Sequence, residues 1–216
     1  MESLQNYIME ALGGEDKQAI RETKNKIKEY LKKYYIGASY MKISKTPDTD
    51  GKFIVDATYI ETKTLTDIST LTNELFKFGS CKSMEVVNVR DLVSLEGAPQ
   101  EVEGDCKICI CPNLKSLKGS PKNIKGNFEC THTGIISLED GPTEVGGDYK
   151  VNDNDDLKTL KGAPKKVYGD FDCSRWKNSF TEKDVQSICK VEGVILVDHE
   201  TQVRRGGQGR GGVGIV

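Results

Sequence analysis

Four stretches of this chain say nearly the same thing, and that repetition limits its fold more than any other feature. They read "LVSLEGAPQEVEGDCKI" from Leu92, "LKSLKGSPKNIKGNFEC" from Leu114, "IISLEDGPTEVGGDYKV" from Ile135 and "LKTLKGAPKKVYGDFDC" from Leu157. Their starts lie 22, 21 and 22 residues apart. Pro99, Pro121, Pro142 and Pro164 keep that step, as do Gly104, Gly126, Gly147 and Gly169. A period of this length marks a repeat architecture in which each unit is one structural rung.

Every unit carries apolar residues at fixed places; in the fourth they are Leu157, Leu160, Val167, Phe171 and Cys173. Phe171 and Cys173 alternate with polar Asp170 and Asp172, the period-two pattern of a half-buried strand. A Gly-Ala-Pro bend between the leucines and the valine excludes a helix there. One unit alone cannot enclose its own apolar face. Stacked units bury that face against each other, at roughly 1.5–3 kcal/mol per side chain. The pattern therefore predicts a solenoid with strands side by side along its axis and Pro-containing arcs as the opposite wall.

Solenoid ends expose apolar faces and strand edges unless they are capped. At the front, Ile20, Ile27, Leu31 and Tyr34 share one face of a helix that ends at Gly37. Asp50-Gly51 is a hairpin turn between "SYMKI" and "KFIVDATYI". At the back, Thr181 is an N-cap with acids in the first turn. Val185, Ile188 and Cys189 then form an apolar stripe, and "VILVD" a closing strand. The predicted fold class is α+β, with boundaries at 15–80 for the helix and hairpin cap, 81–178 for four full repeats plus a half-rung, and 179–200 for the helix and strand cap. Residues 1–14 form an amphipathic peptide and 201–216 an Arg/Gly tail of disordered composition.

Composition narrows the function classes. Charged residues make up 30% of the chain and hydrophobic ones 36%, so one large globular core is not expected. A net charge of −2 gives no bulk attraction to nucleic acid or to an acidic membrane. No apolar run approaches the ~20 residues of a membrane span, and no secretory signal opens the chain. Seven unevenly placed cysteines suit reduced thiols rather than a disulfide framework.

The pattern L-x-x-L-x-G-x-P-x-x-V-x-G-D-F-x-C resembles the short leucine-rich repeats of bacteria and their viruses. Such repeats usually close on an asparagine; Asn113 and Asn178 fit that place, while Gly134 and Asp156 depart from it. "SLEGAP" followed by V-x-G-D-F/Y-x-C looks like the leucine-rich-repeat proteins of large tailed phages. Upstream, "IKEYLKKYYI", "DGKFIVDATYI" and "FKFGSCKSMEVVNV" match the family's lead-in helix, hairpin and first half-rung. Downstream, "SFTEKDVQSICKVEGVILVD" resembles its terminal cap. The resemblance covers roughly residues 26–198 and implies a fold more than an activity.

"CKICIC" holds Cys106, Cys109 and Cys111, but strand alternation puts Cys106 with Phe128, Tyr149 and Phe171 and turns the other two away. No second C-x-x-C or histidine pair completes a zinc site. His132 and His199 stand apart from any nucleophile. "NDNDD", Asn152 to Asp156, lacks the glycine and distal glutamate of a calcium loop and reads as a solvated turn. The tail's three arginines are a weak footprint for nucleic acid, by phosphate contacts.

At the N-terminus, Leu4, Tyr7, Ile8, Ala11 and Leu12 form one helical stripe, and Gly13-Gly14 breaks it. That is either a docking helix or, by resemblance, the capsid-targeting peptide of phage internal head proteins. Such peptides are cut after Ile/Leu-x-Glu, here Ile8-Met9-Glu10 before Ala11. The expected function is non-enzymatic binding of a host or phage protein by a monomer, without cofactor or metal. Lys107, Glu129, Lys150 and Asp172, lying between buried strand residues, are the expected contact surface. The alternatives are an internal head protein delivered into the host and nucleic-acid binding through the tail, and the expected location is the virion or the host cytoplasm.

Overall fold

The computed structural model describes residues 17–174 and 180–197. Helix α1 (Lys17–Tyr34) buries Ala19, Thr23, Ile27 and Leu31, one residue per turn. It lies on a three-stranded sheet of β1 (Lys42–Ile43), β2 (Phe53–Asp56) and β4 (Phe76–Phe78). Tyr30 meets Phe76 edge-on at 5.6 Å, and Tyr35 meets Phe78 at 5.2 Å. The expected hairpin forms, with β1 antiparallel to β2 and Gly51 at φ 74° in the turn. Its second arm is not one strand, however. "KFIVDATYI" splits into β2 and β3 (Tyr59–Glu61), which belong to different sheets.

That split starts the solenoid. The long sheet runs β3, β5 (Ser83–Val87), β7 (Cys106–Cys111), β9 (Phe128–Thr133), β11 (Tyr149–Lys150), β13 (Phe171–Asp172) and β15 (Ile195–Leu196), and its neighbours are parallel. Register stacks Ile60, Met84, Cys106, Phe128, Tyr149, Phe171 and Ile195 in one buried column. The aromatic members stack at 5.2 and 5.0 Å. Tyr149 carries its hydroxyl into this column, where it finds no hydrogen-bond partner.

A second parallel sheet, absent from the sequence reading, makes part of the opposite wall. It consists of β6 (Glu101–Val102), β8 (Asn123–Ile124), β10 (Glu144–Val145), β12 (Lys166–Val167) and β14 (Lys190–Val191). Each of its first four strands starts two residues after a repeat proline. Val102, Ile124, Val145, Val167 and Val191 form its inward column.

The two glycine columns of the repeat do different work. Gly97, Gly119 and Gly162 sit at φ 85–90°, a left-handed bend that Asp140 makes in the third unit at φ 64°. The Gly-Asp corner, by contrast, is a place of close stacking. A Cβ on Gly126 would meet the carbonyl carbon of Gly104 at 2.6 Å. The next residue in each corner accepts a backbone N–H from the rung beyond: Asp105 from Asn127 at 2.7 Å, Asn127 from Asp148 at 2.8 Å, and Asp148 from Asp170 at 3.0 Å. Asp170 continues to Val194 at 2.7 Å.

The C-terminal cap forms as a capping box, in which Thr181 and Asp184 bond reciprocally across the first turn of α2 (Glu182–Gln186). Val185 and Cys189 are buried, but Ile188 is 44% exposed, because the helix ends before that residue turns inward. After α2, "VEGVILV" repeats the V-x-G corner and adds one more rung through β14 and β15. The structure is thus a capped parallel β-solenoid, and its ladders run into both caps.

Candidate binding surfaces of the solenoid

The outward column of the long sheet reads Glu61, Glu85, Lys107, Glu129, Lys150, Asp172 and Leu196. From Glu85 onward its charges alternate in sign. In-register parallel pairing puts each charge one strand spacing, about 4.8 Å, from its opposite. Lys107 reaches Glu129 at 4.0 Å, and Lys150 turns instead to Asp148 at 3.3 Å. Three of the four expected contact residues, Lys107, Glu129 and Lys150, share this face and are partly exposed.

Asp172 differs from its expected exposure: it is only 5% exposed. Its Oδ1 accepts the Ser174 backbone N–H at 2.9 Å and the Ser174 hydroxyl at 2.6 Å, which folds the carboxylate back along the chain. A second alternating column lies on the arcs, with Glu96 and Lys118 2.7 Å apart and Glu139 and Lys161 2.6 Å apart. Lysine neighbours hold the Glu96 and Glu139 carboxyls below their ordinary range.

The cysteine strand departs from simple alternation. Cys106 points inward and Cys109 lies off the core column, as expected, but Cys111 is fully buried in the core. The cause is Ile110, which takes a left-handed φ of 58° and turns the chain so that residue 111 faces inward again. The same device recurs at Leu65, Asn88, His132 and Asp153, with φ between 53° and 57°. Cys109 donates to Glu129 Oε1 and accepts from the Thr131 hydroxyl, both at 3.3 Å. Burial raises the Cys106 thiol well above its ordinary range and pushes Cys130 up to about 12. These thiols do not converge, and among the described residues no group of three metal-ligating side chains forms.

Asn113, expected at the closing place of a repeat, lies exposed on the arc. Asn154 is buried within "NDNDD", a segment expected to be solvated throughout. Its amide donates to the Cys130 and Val151 carbonyls at 2.7 and 3.0 Å, and its Oδ1 accepts the Thr133 N–H at 2.8 Å. Cys111 takes the equivalent place one turn after Val86, whose carbonyl its thiol approaches at 3.9 Å. Asn178 and His199 lie outside the described residues, as do Ile8, Met9, Glu10, Ala11 and the Arg/Gly tail.

A groove of about 460 Å³ beside β3, lined by Ile36, Tyr40, Met41, Ala57 and Tyr59, was not foreseen. Tyr40 and Tyr59 are largely exposed at its rim, and β3 is the last strand on that side of the long sheet. The sequence offered only "YYIGASYM", aromatic residues around a glycine, as a signal. No helix among the described residues is long and apolar enough to cross a membrane. These features define a β-solenoid with two rows of alternating charge. No family model, no curated protein and no solved structure matches the chain.

Proposed function

We propose that the chain is a non-enzymatic interaction module that binds a host or phage protein through the face of the long sheet. The observation that carries this reading is the column Glu85, Lys107, Glu129, Lys150. It presents alternating charges at a fixed spacing on a backbone held by strands on both sides. A rigid, extended surface suits recognition, because little side-chain or loop order is lost on binding. Lys107, Glu129 and Lys150 are its contact residues, and the buried Asp172 supports the end of the column rather than touching the partner.

Charge reversal tests the assignment. Lys107→Glu with Lys150→Glu should lower affinity for a partner purified with the native protein by about tenfold or more, as expected for charges at a complementary interface. The melting temperature should stay within a few degrees. Unchanged affinity at unchanged stability rejects this face.

A second reading rests on the N-terminal sequence, which resembles a phage capsid-targeting peptide and would place the protein in the virion. The first described helix begins at Lys17, downstream of the Glu10–Ala11 bond, so a cut there leaves every described element intact. Virions carrying the native protein should yield a peptide starting at Ala11, and Glu10→Gln should abolish that peptide. The leucine-rich-repeat and phage assignments rest on the same kind of resemblance, and the expected location remains virion or host cytoplasm.

A further inference from the structure

The long sheet ends at β3, and the far edge of that strand is partly open. The Thr58 carbonyl accepts from Lys82 and Ser83, and the Thr62 N–H donates to Glu85, so every second residue from Thr58 to Thr62 directs its backbone groups at β5. Tyr59 and Glu61 therefore turn theirs the other way. On that side the Ile36 N–H donates to the Glu61 carbonyl at 2.9 Å, and the crossing of Tyr35 with Thr62 closes the end of the strand. The Tyr59 N–H, the Tyr59 carbonyl and the Glu61 N–H pair with no other backbone group among the described residues. An open strand edge is a template on which another chain can pair.

The groove of about 460 Å³ runs along this edge, with Ile36, Tyr40 and Met41 as its other wall. Tyr40 is 87% exposed and Tyr59 62%. Two phenol rings thus flank backbone groups that have no strand beside them, and the volume lies in the range of specific binding sites, about 300–1,000 Å³.

Charge says which kind of chain fits. Glu61 lies in register with Glu85, and neither carboxylate forms an ion pair among the described residues. Like charges directly opposite are unfavourable, whereas the rest of the outward column alternates in sign. A strand added beyond β3 would extend that alternation if it carried a lysine or arginine opposite Glu61. Its side chain two positions away shares the same face and would enter between Tyr40 and Tyr59. A second copy paired through β3 would bring a further glutamate to this edge instead.

We infer that the open edge of β3 binds an extended segment of a partner protein as an added strand, with a basic residue opposite Glu61 and an aromatic one two positions away in the groove. The site stands on this edge and does not rest on the charged column assigned above.

The test uses the full chain and a capped pentapeptide, Thr-Arg-Thr-Tyr-Thr, so its result is independent of that column and its partner. Saturable binding is expected, and Glu61→Lys should weaken it about tenfold. Alternate N–H groups of an added strand face β3. N-methylating the peptide's Arg and Tyr nitrogens, or else its Thr nitrogens, should therefore abolish binding in one case only. No saturation at about 1 mM peptide, equal losses from both methylation patterns, or affinity unchanged by Glu61→Lys overturns the assignment. So does self-association of the native chain that competes with the peptide, since a second copy would then be the occupant.

Discussion

Tyr149 is the one side chain of the long aromatic column with a polar atom, and its hydroxyl is buried without a partner. Desolvating an unpaired hydroxyl costs roughly 1–3 kcal/mol, so Tyr149→Phe should stabilise the protein by about 1 kcal/mol in urea melts. A loss of stability would mean that the hydroxyl is bonded. The thiols make a second residue-scale prediction. Burial pushes Cys81 and Cys130 up to about 12 and Cys111 and Cys189 up to about 11. In the unfolded chain they ionise near 8.5, so above that pH the unfolded state loses protons that the native state keeps. Their contribution is complete below about pH 8.5 and is lost as pH rises through the folded values. Between pH 8 and pH 10 stability should fall by at least about 2 kcal/mol, and a flat profile would place these thiols in contact with water.

At the scale of the element, the arc bend is the sensitive joint. Gly119 sits at φ 85°, and a Cβ there would lie 2.4 Å from the Glu96 nitrogen of the rung below. Gly119→Ala combines strain with a backbone clash and should cost more than about 2 kcal/mol. Asp140→Gly, in the same column, should be neutral or stabilising. Similar losses at both sites would show that the bend is not shared between rungs. These bends also mark how far the sequence could be read. Proline and glycine in step revealed the rung, and Phe171 and Cys173 alternating with Asp170 and Asp172 revealed a strand of the long sheet. The second sheet stayed hidden because each of its strands carries a single apolar residue, as in Glu101–Val102, so no alternation shows. Cys111 and Asn154 were misplaced for another reason. A left-handed Ile110 or Asp153 resets the alternation, and isoleucine gives no hint of that conformation. Asp172 looked exposed because alternation says which way a side chain leaves the strand; it does not reveal that Ser174 will hold the carboxylate.

For the whole molecule, both caps prolong the ladders of the repeats they close. Ile60 stands in column with Met84 at one end and Ile195 with Phe171 at the other. Asp170 reaches across to the Val194 nitrogen, tying the last rung to the repeats by the same bond that joins the repeats to each other. The fold of the terminal rungs was legible only in part, since "VEGVILV" keeps the valine and glycine of the corner while α2 replaces the proline arc. The candidate site was legible as a row of outward charges, and the groove at Tyr40 and Tyr59 was not, because it depends on how residues 36–41 fold against residues 57–61. What unifies the molecule is one parallel, in-register ladder from Ile60 to Ile195. Backbone NOEs across that ladder test it most directly. The structure predicts interstrand contacts joining Cys106 with Phe128, Phe128 with Tyr149, Tyr149 with Phe171 and Phe171 with Ile195. Absence of the Phe171–Ile195 contact, or a pattern of antiparallel neighbours among these residues, would contradict it.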